Sequence, residues 1–436
     1  MVTEVGYARR RITPEAGGRM SGYVSRTSAA KGVHDDLWAS ALVINEFALV
    51  VLDLIGLHEF HCDEIRRRCT LPANQVVIHC THTHGGPVSM PGRLGPGLDA
   101  KWLDRVINVA IELIAEAMDA REPARLEAGY GENIGIARNR RRNDGVVDDL
   151  LPVLVARRSD GSVIAVVASY ACHPVSIGAS NLYFTADYPG VVRRRLASTV
   201  GFEESGIVFL TGFAGDANVS GRSGEDSISA GTRIAGSVDV AEMVGERIAT
   251  GVAAAIGESV NPVPPAALQK TAMRTVRLDL LLPANAELEQ MLADLESRLV
   301  EADETEKAWV QARSRWALEQ LRGLAERSAA WDGVVAISQI GPVFFVALPG
   351  EPFAIAAKAI REAIATRVAN ATVFTIGYSN GCPGYFPSID QYQRGGYEVD
   401  LAHIYYGMPG AFAPGSLEAL VEAVEQVFTG PLFDQV

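Results

Sequence analysis

Residues 34–55 read HDDLWASALVINEFALVVLDLI. Two apolar runs of strand length flank a short polar break at Asn45-Glu46. Strand-length runs parted by so few polar residues read as a β-hairpin, and a hairpin is antiparallel. Runs of the same kind recur at QVVIHC (75–80), PVLVARR (152–158), SVIAVVASYAC (162–172), GIVFL (206–210), PVFFVALP (342–349) and TVFTIGY (372–378). Amphipathic stretches of helical period fall between them, at 102–120, 188–200, 240–256 and 353–368. Alternating strands and helices, with one hairpin among them, predict an α/β chain with a mixed β-sheet core flanked by helices.

Residues 284–332 break this pattern. They are charged and helical, with one apolar stripe through Leu288, Met291, Leu292, Leu295 and Leu299 and a second through Trp309 and Trp316. Such stripes predict a helical hairpin insertion, either packed on the body or set as a cap over a cleft. The stretch GDANVSGRSGEDSISAG (215–231) reads as a long loop without the GK[ST] of a P-loop.

Bulk composition excludes several classes. The chain has 436 residues, 48% of them hydrophobic, and a formal net charge of −13. An acidic chain is poorly suited to gripping nucleic acid or anionic lipid. Its densest basic run, Arg138-Asn139-Arg140-Arg141-Arg142, reads as a solvated loop. Five scattered cysteines, odd in number and without CxxC, point to a reducing compartment. No apolar run reaches the roughly 18 residues of a membrane helix, so no integral membrane segment is expected. MVTEVGYARRRITPE lacks the apolar core of a signal peptide, and the expected location is cytoplasmic.

Polar residues that packing does not explain stand at the ends of the strand-like runs. After QVVIHC come His82 and His84, two apart, as side chains on one face of an extended segment would be. After SVIAVVASYAC comes His173, and after VFFVALPG comes Glu351. Tyr385 follows TVFTIGYSN, and Asp216 follows GIVFL. Ligands of α/β proteins collect at such strand ends. Each residue also has a plainer reading: Glu351 before Pro352 resembles a helix N-cap, and His34, His58 and His61 read as structural. Spacing alone does not say that His82, His173, Glu351 and Tyr385 meet.

Read together, ITPEAGGRMSGY (12–23), GVHDDLWASALVI (32–44), LDLIGL (52–57), THTHGGP (81–87), GIARNRRRNDGVVDDLLPVL (135–154), YACHPVSIG (170–178), GFAGDANVS (212–220), ALPGEPF (347–353) and GYSNGCPGYFPSIDQYQRGGYEV (377–399) resemble the catalytic N-terminal domain of the neutral, non-lysosomal ceramidases and their short bacterial relatives. The resemblance implies one zinc ion per chain, held by His82, His173, Glu351 and Tyr385, with His84, Arg140 and Tyr397 as catalytic residues around it. It also implies that 1–436 forms one catalytic domain carrying the 284–332 insertion. Imidazole, carboxylate and phenolate are donors zinc accepts, and a zinc-activated water could attack a carbonyl.

The chain departs from that pattern in three places. Asn218 stands where those enzymes carry a serine in GDVSPN, which favours a metal–water route over an acyl-enzyme. Gly85 stands in place of the serine of THTHSGP. The chain leaves no room for the C-terminal sandwich domain, so a smaller or more soluble amide than a membrane lipid is expected. The leading reading is a zinc-dependent amidohydrolase acting on a small-molecule linear amide. The alternatives are an ester or lactone hydrolase on the same site, a catalytically silent binding protein, and a two-metal phosphoesterase using His82, Asp53 and Asp216. A homo-oligomer is compatible with all of them.

Overall fold

The structure, a computed structural model, describes residues 2–200, 206–219, 236–264, 269–299, 302–323, 327–431 and 433. Chain order begins with strand β1 (Thr3–Arg11), the hairpin β2 (Trp38–Ile44) and β3 (Phe47–Leu52), helix α1 (Glu59–Arg68) and β4 (Val76–Cys80). The hairpin pairs Ala39 with Leu52 and Ile44 with Phe47. Asn45 turns it at φ 51°, a left-handed conformation that asparagine tolerates better than most side chains.

Next come α2 (Ala100–Asp119), β5 (Glu122–Gly131), β6 (Leu151–Arg157), β7 (Val163–Tyr170), α3 (Tyr188–Val200), β8 (Ile207–Thr211) and α4 (Val238–Glu258). The strands named so far form one mixed sheet in the order β8-β7-β6-β5-β1-β2-β3-β4. A second sheet runs β12 (Thr372–Ile376), β11 (Val343–Ala347), β10 (Ala330–Ile340), β9 (Gln269–Leu281), with the short strand Ala411–Phe412 beyond β9.

The two sheets stack face to face. Alternate residues of the opening stretch explain why. Leu42, Ile44, Phe47, Leu49 and Val51 pack with Phe345, Phe374 and Ile376 of the second sheet. Their neighbours Ala41, Val43, Val50 and Leu52 pack with Val106, Ala110 and Ile114 of α2. Both faces of the hairpin are therefore buried, which is why it reads as a continuous apolar run rather than an alternating one. A stack of rings fills the middle, with Phe345 4.8 Å from Phe374 and 5.5 Å from Phe47. Helices α3 and α4 cover the other half of the first sheet. Helices α7 (Ile355–Ala365) and α8 (Ser416–Phe428) cover the outer face of the second. The result is helix, sheet, sheet, helix: four layers, where the sequence suggests one sheet.

Helices α5 (Asn285–Arg298) and α6 (Glu304–Arg322) pack on each other within the charged stretch, and β10 already begins at Ala330. Of the loop expected at 215–231, Gly215–Val219 is described and the remainder lies outside the described residues.

His79 of β4 ties the layers together. Its Nδ1 donates to the Gly377 carbonyl just past β12, 2.9 Å away, and its Nε2 accepts the Thr211 N–H of β8 at 3.1 Å. Beside it the buried Asp53 carboxylate meets Arg193 through two bonds of 3.0 and 2.6 Å and also accepts from Thr81 Oγ1 and the Trp38 N–H. The segment leading to His82 is thereby fixed from below.

Candidate metal centre

Strand β4 ends at Cys80, and His82 sits at φ 63°. The expectation that His82 and His84 share a face of an extended segment does not hold. A left-handed turn, not the pleat, brings their rings to 5.0 Å. A non-glycine residue in that region is strained and persists only where its surroundings hold it. Here the His82 N–H donates to Leu54 O at 2.9 Å, and Thr83 Oγ1 donates to Thr185 O at 2.7 Å. Gly22 makes room for His84, because a Cβ there would lie 2.6 Å from its Nδ1. Gly85 has no space for a serine either, since its Cβ would lie 2.3 Å from Thr185 Cγ2.

His173 follows β7 and is anchored by its N–H to Ala217 O at 3.0 Å. Glu351 belongs to a two-residue strand, Glu351–Pro352, that pairs in parallel with Tyr385–Phe386, Glu351 opposite Tyr385. It does not cap the following helix. Asp216 does that instead, its Oδ1 accepting the Ala354 N–H at 2.8 Å. The Glu351 carboxylate is left free to face the histidines.

The protons of this cluster can be assigned. His82 Nδ1 lies 2.5 Å from Ile55 O, and His173 Nδ1 lies 2.7 Å from Ala214 O. A carbonyl only accepts, so each Nδ1 carries the hydrogen and each Nε2 of the neutral ring presents a lone pair. Those two Nε2 atoms are 3.1 Å apart. Glu351 Oε2 lies 3.3 Å from the first and 3.0 Å from the second. Its other oxygen, Oε1, accepts from the Tyr406 hydroxyl. With both rings in that neutral form, three electron-rich atoms point at one another inside the protein. All three residues are at most 1% exposed, so water does not relieve this. A cation does.

His84 stands at the edge of the trio, its Nε2 3.4 Å from that of His82 and its buried Nδ1 without a partner among the described residues. His82, His84 and His173 together form a group able to hold a metal ion. Burial lowers the His173 pKa to about 4 against the pull of Glu351, and lowers that of His84 well below the ordinary value.

Tyr385 stacks on His173 with ring centroids 6.3 Å apart and planes 10° apart. Burial raises its pKa well above 10, and the nearby Arg140 counters this. Arg140 lies 5.2 Å from the centre of the Tyr385 ring, and Tyr397 packs edge-on against it at 5.6 Å. The basic run is therefore not a solvated loop throughout: Arg140 and Arg141 are both drawn inward by the buried Glu398. The structure gathers His82, His84, His173, Glu351, Tyr385, Arg140 and Tyr397 into one neighbourhood. It leaves out Asp53, taken by Arg193, and Asp216, taken by Ala354 and Asn139.

Sequence reasoning missed Tyr378, stacked 4.0 Å from the His82 ring, and Tyr406. Neither stands in a metal-ligand spacing. Asn218 is 1% exposed, and both polar atoms of its amide lack a partner among the described residues.

A cavity of about 360 Å³ lies behind the residues packed against the cluster. Its walls include Tyr23, packed on His84, and Tyr397, packed on Tyr385. Trp309 and Trp316 of α6 close another side with Leu94 and Ile404.

No family model matches the chain. It is 27% identical to a neutral ceramidase of Pseudomonas aeruginosa over a match covering 42% of this chain and 32% of that protein. The match therefore spans about a third of the relative's length. Among solved structures, the chain superposes on neutral ceramidase from Pseudomonas aeruginosa with a TM-score of 0.73 at 19% identity, covering 98% of this chain and 74% of that one. A structure described as ceramidase complexed with C2 gives 0.72 at 17% identity, covering 99% and 75%. The chain is thus similar to the neutral ceramidases in sequence and shares their fold.

Proposed function

We propose that this ceramidase-like chain is a zinc-dependent hydrolase of linear N-acyl amides. His82, His173, Glu351 and Tyr385 would hold one zinc ion per chain. The observation that carries the reading is the convergence of two Nε2 atoms and Glu351 Oε2, with both Nδ1 atoms committed to carbonyls. Two imidazoles, a carboxylate and a phenol form a mixed nitrogen and oxygen set suited to zinc. Zinc in such a site supplies Lewis acidity and brings the pKa of water down to about 7.

The remaining steps belong to the protein's own groups. Arg140 and Tyr397, beside Tyr385, are placed to donate to the amide oxygen as charge develops on it. His84 is kept neutral by burial, with its Nε2 turned toward the cluster. It takes a proton from the nucleophile and delivers it to the departing amine nitrogen. The cavity beside the cluster takes the apolar part of the substrate, and α6 acts as its cap. Residues 1–436 serve as one catalytic unit. The five cysteines are all free, which suits the cytoplasm. Among the described residues no helix is long and apolar enough to cross a membrane.

The test is metal analysis of the purified protein combined with matched amide and ester substrates. The expected result is one zinc per chain and amide cleavage abolished by a chelator. Two metals per chain, or zinc held with no hydrolysis across the panel, overturns the proposal.

A further inference from the structure

We propose that Tyr406 is a positioning residue for Glu351, and that α6 sets Tyr406 in turn. The inference rests on the metal reading above. A carboxylate facing a cation can turn either oxygen, or both, toward it. Here the Tyr406 hydroxyl donates to Oε1, so Oε2 is the oxygen left against His82 and His173, at 3.3 and 3.0 Å. Outer hydrogen bonds of this kind fix the orientation of metal-binding side chains.

The Tyr406 ring is itself confined. It is 2% exposed and stands edge-on to Tyr385 at 6.2 Å. Gly384, at φ 125°, lies beneath it, and a Cβ there would approach the ring to 3.4 Å. The carbonyl of Gly384 accepts the Glu351 N–H at 2.9 Å, so one glycine seats both partners.

Helix α6 grips the chain on either side of Tyr406. Arg313 Nε donates to the Tyr405 hydroxyl at 2.8 Å, and Trp309 stands edge-on to the Tyr405 ring at 4.9 Å. Trp316 Nε1 donates to Met408 O at 2.8 Å. Trp309 and Trp316 also wall the cavity. The helix over the cavity is therefore joined to the metal carboxylate through three consecutive links: α6 to Tyr405 and Met408, these to Tyr406, and Tyr406 to Glu351.

The test compares wild type, Tyr406→Phe and Trp316→Phe, each stripped of metal and titrated with zinc against a fluorescent chelating indicator. Tyr406→Phe should bind zinc about 10–100-fold more weakly, the loss typical of removing an outer hydrogen bond. Trp316→Phe should lose affinity in the same direction by a smaller factor. Thermal unfolding of the metal-free proteins separates this from simple destabilisation, which lowers the melting temperature and leaves affinity unchanged. Tyr406→Phe binding zinc as tightly as wild type overturns the proposal. If Tyr406→Phe does not fold, Trp316→Phe decides, and unchanged affinity there overturns it. A wild type that binds no zinc at all sinks the hydrolase reading instead.

Discussion

His82 and His173 face each other through Nε2 atoms 3.1 Å apart, each ring committed by its Nδ1 to a backbone carbonyl. Neither ring can rotate to escape without losing that bond. Replacing either by alanine should abolish zinc retention and activity together. Loss of an outer partner costs about 10–100-fold in metal affinity, and loss of a ligand should exceed that. Metal content of the purified variants is the measurement, and a variant that keeps stoichiometric zinc would remove that histidine from the site.

Tyr397 stands edge-on to Tyr385 and is outside the proposed ligand set. Tyr397→Phe should therefore keep zinc and lose turnover. Removing one donor to a developing oxyanion costs about 10²–10³ in kcat. Steady-state kinetics beside a zinc assay check this; normal turnover refutes the oxyanion role.

His79 gives the protein an acid-sensitive point on the strand that leads to His82. Burial drives its pKa down to about 3, and the neutral ring accepts from Thr211. An unfolded histidine titrates near 6.5, so between these values the unfolded chain binds a proton that the folded one refuses. Stability from this group is complete above about pH 6.5 and is lost as pH falls toward 3, roughly 2 kcal/mol of it by pH 5. Denaturant unfolding of wild type and His79→Gln at pH 7.5 and 5 should show a flatter pH slope in the variant. Equal slopes would contradict the assignment.

The Asp53–Arg193 pair is buried, and Asp53 also steadies Thr81, next to His82. Arg193→Leu should cost about 3–5 kcal/mol, because it strands a buried charge. Chemical denaturation measures it. A loss below about 1 kcal/mol would place the pair among interactions no stronger than surface ones.

Much of the architecture is legible in the residues. The hairpin at 34–55 and the runs at 75–80, 206–210 and 342–349 are apolar enough to declare themselves. Strand β1 is not, since TEVGYARRR is mostly half-exposed and alternates weakly. Strand β9 is hidden for the same reason. The second sheet is invisible because burial on both faces looks alike whether helices or strands do the covering. In the site, strand ends pointed to His82, His173 and Glu351. The left-handed turn at His82 and the placement of Tyr406 depend on contacts between segments 102 and 55 residues apart, which no local pattern encodes.

His82 hangs from the first sheet, whereas Glu351 extends from the end of the second. An ion gripped by both would act as a rivet through the sandwich. By mass action it would add about 4 kcal/mol at a free concentration a thousand times its dissociation constant. Chelation should then do more than abolish the proposed activity: it should let the layers part at a lower temperature, and metal supply would govern how long the protein survives.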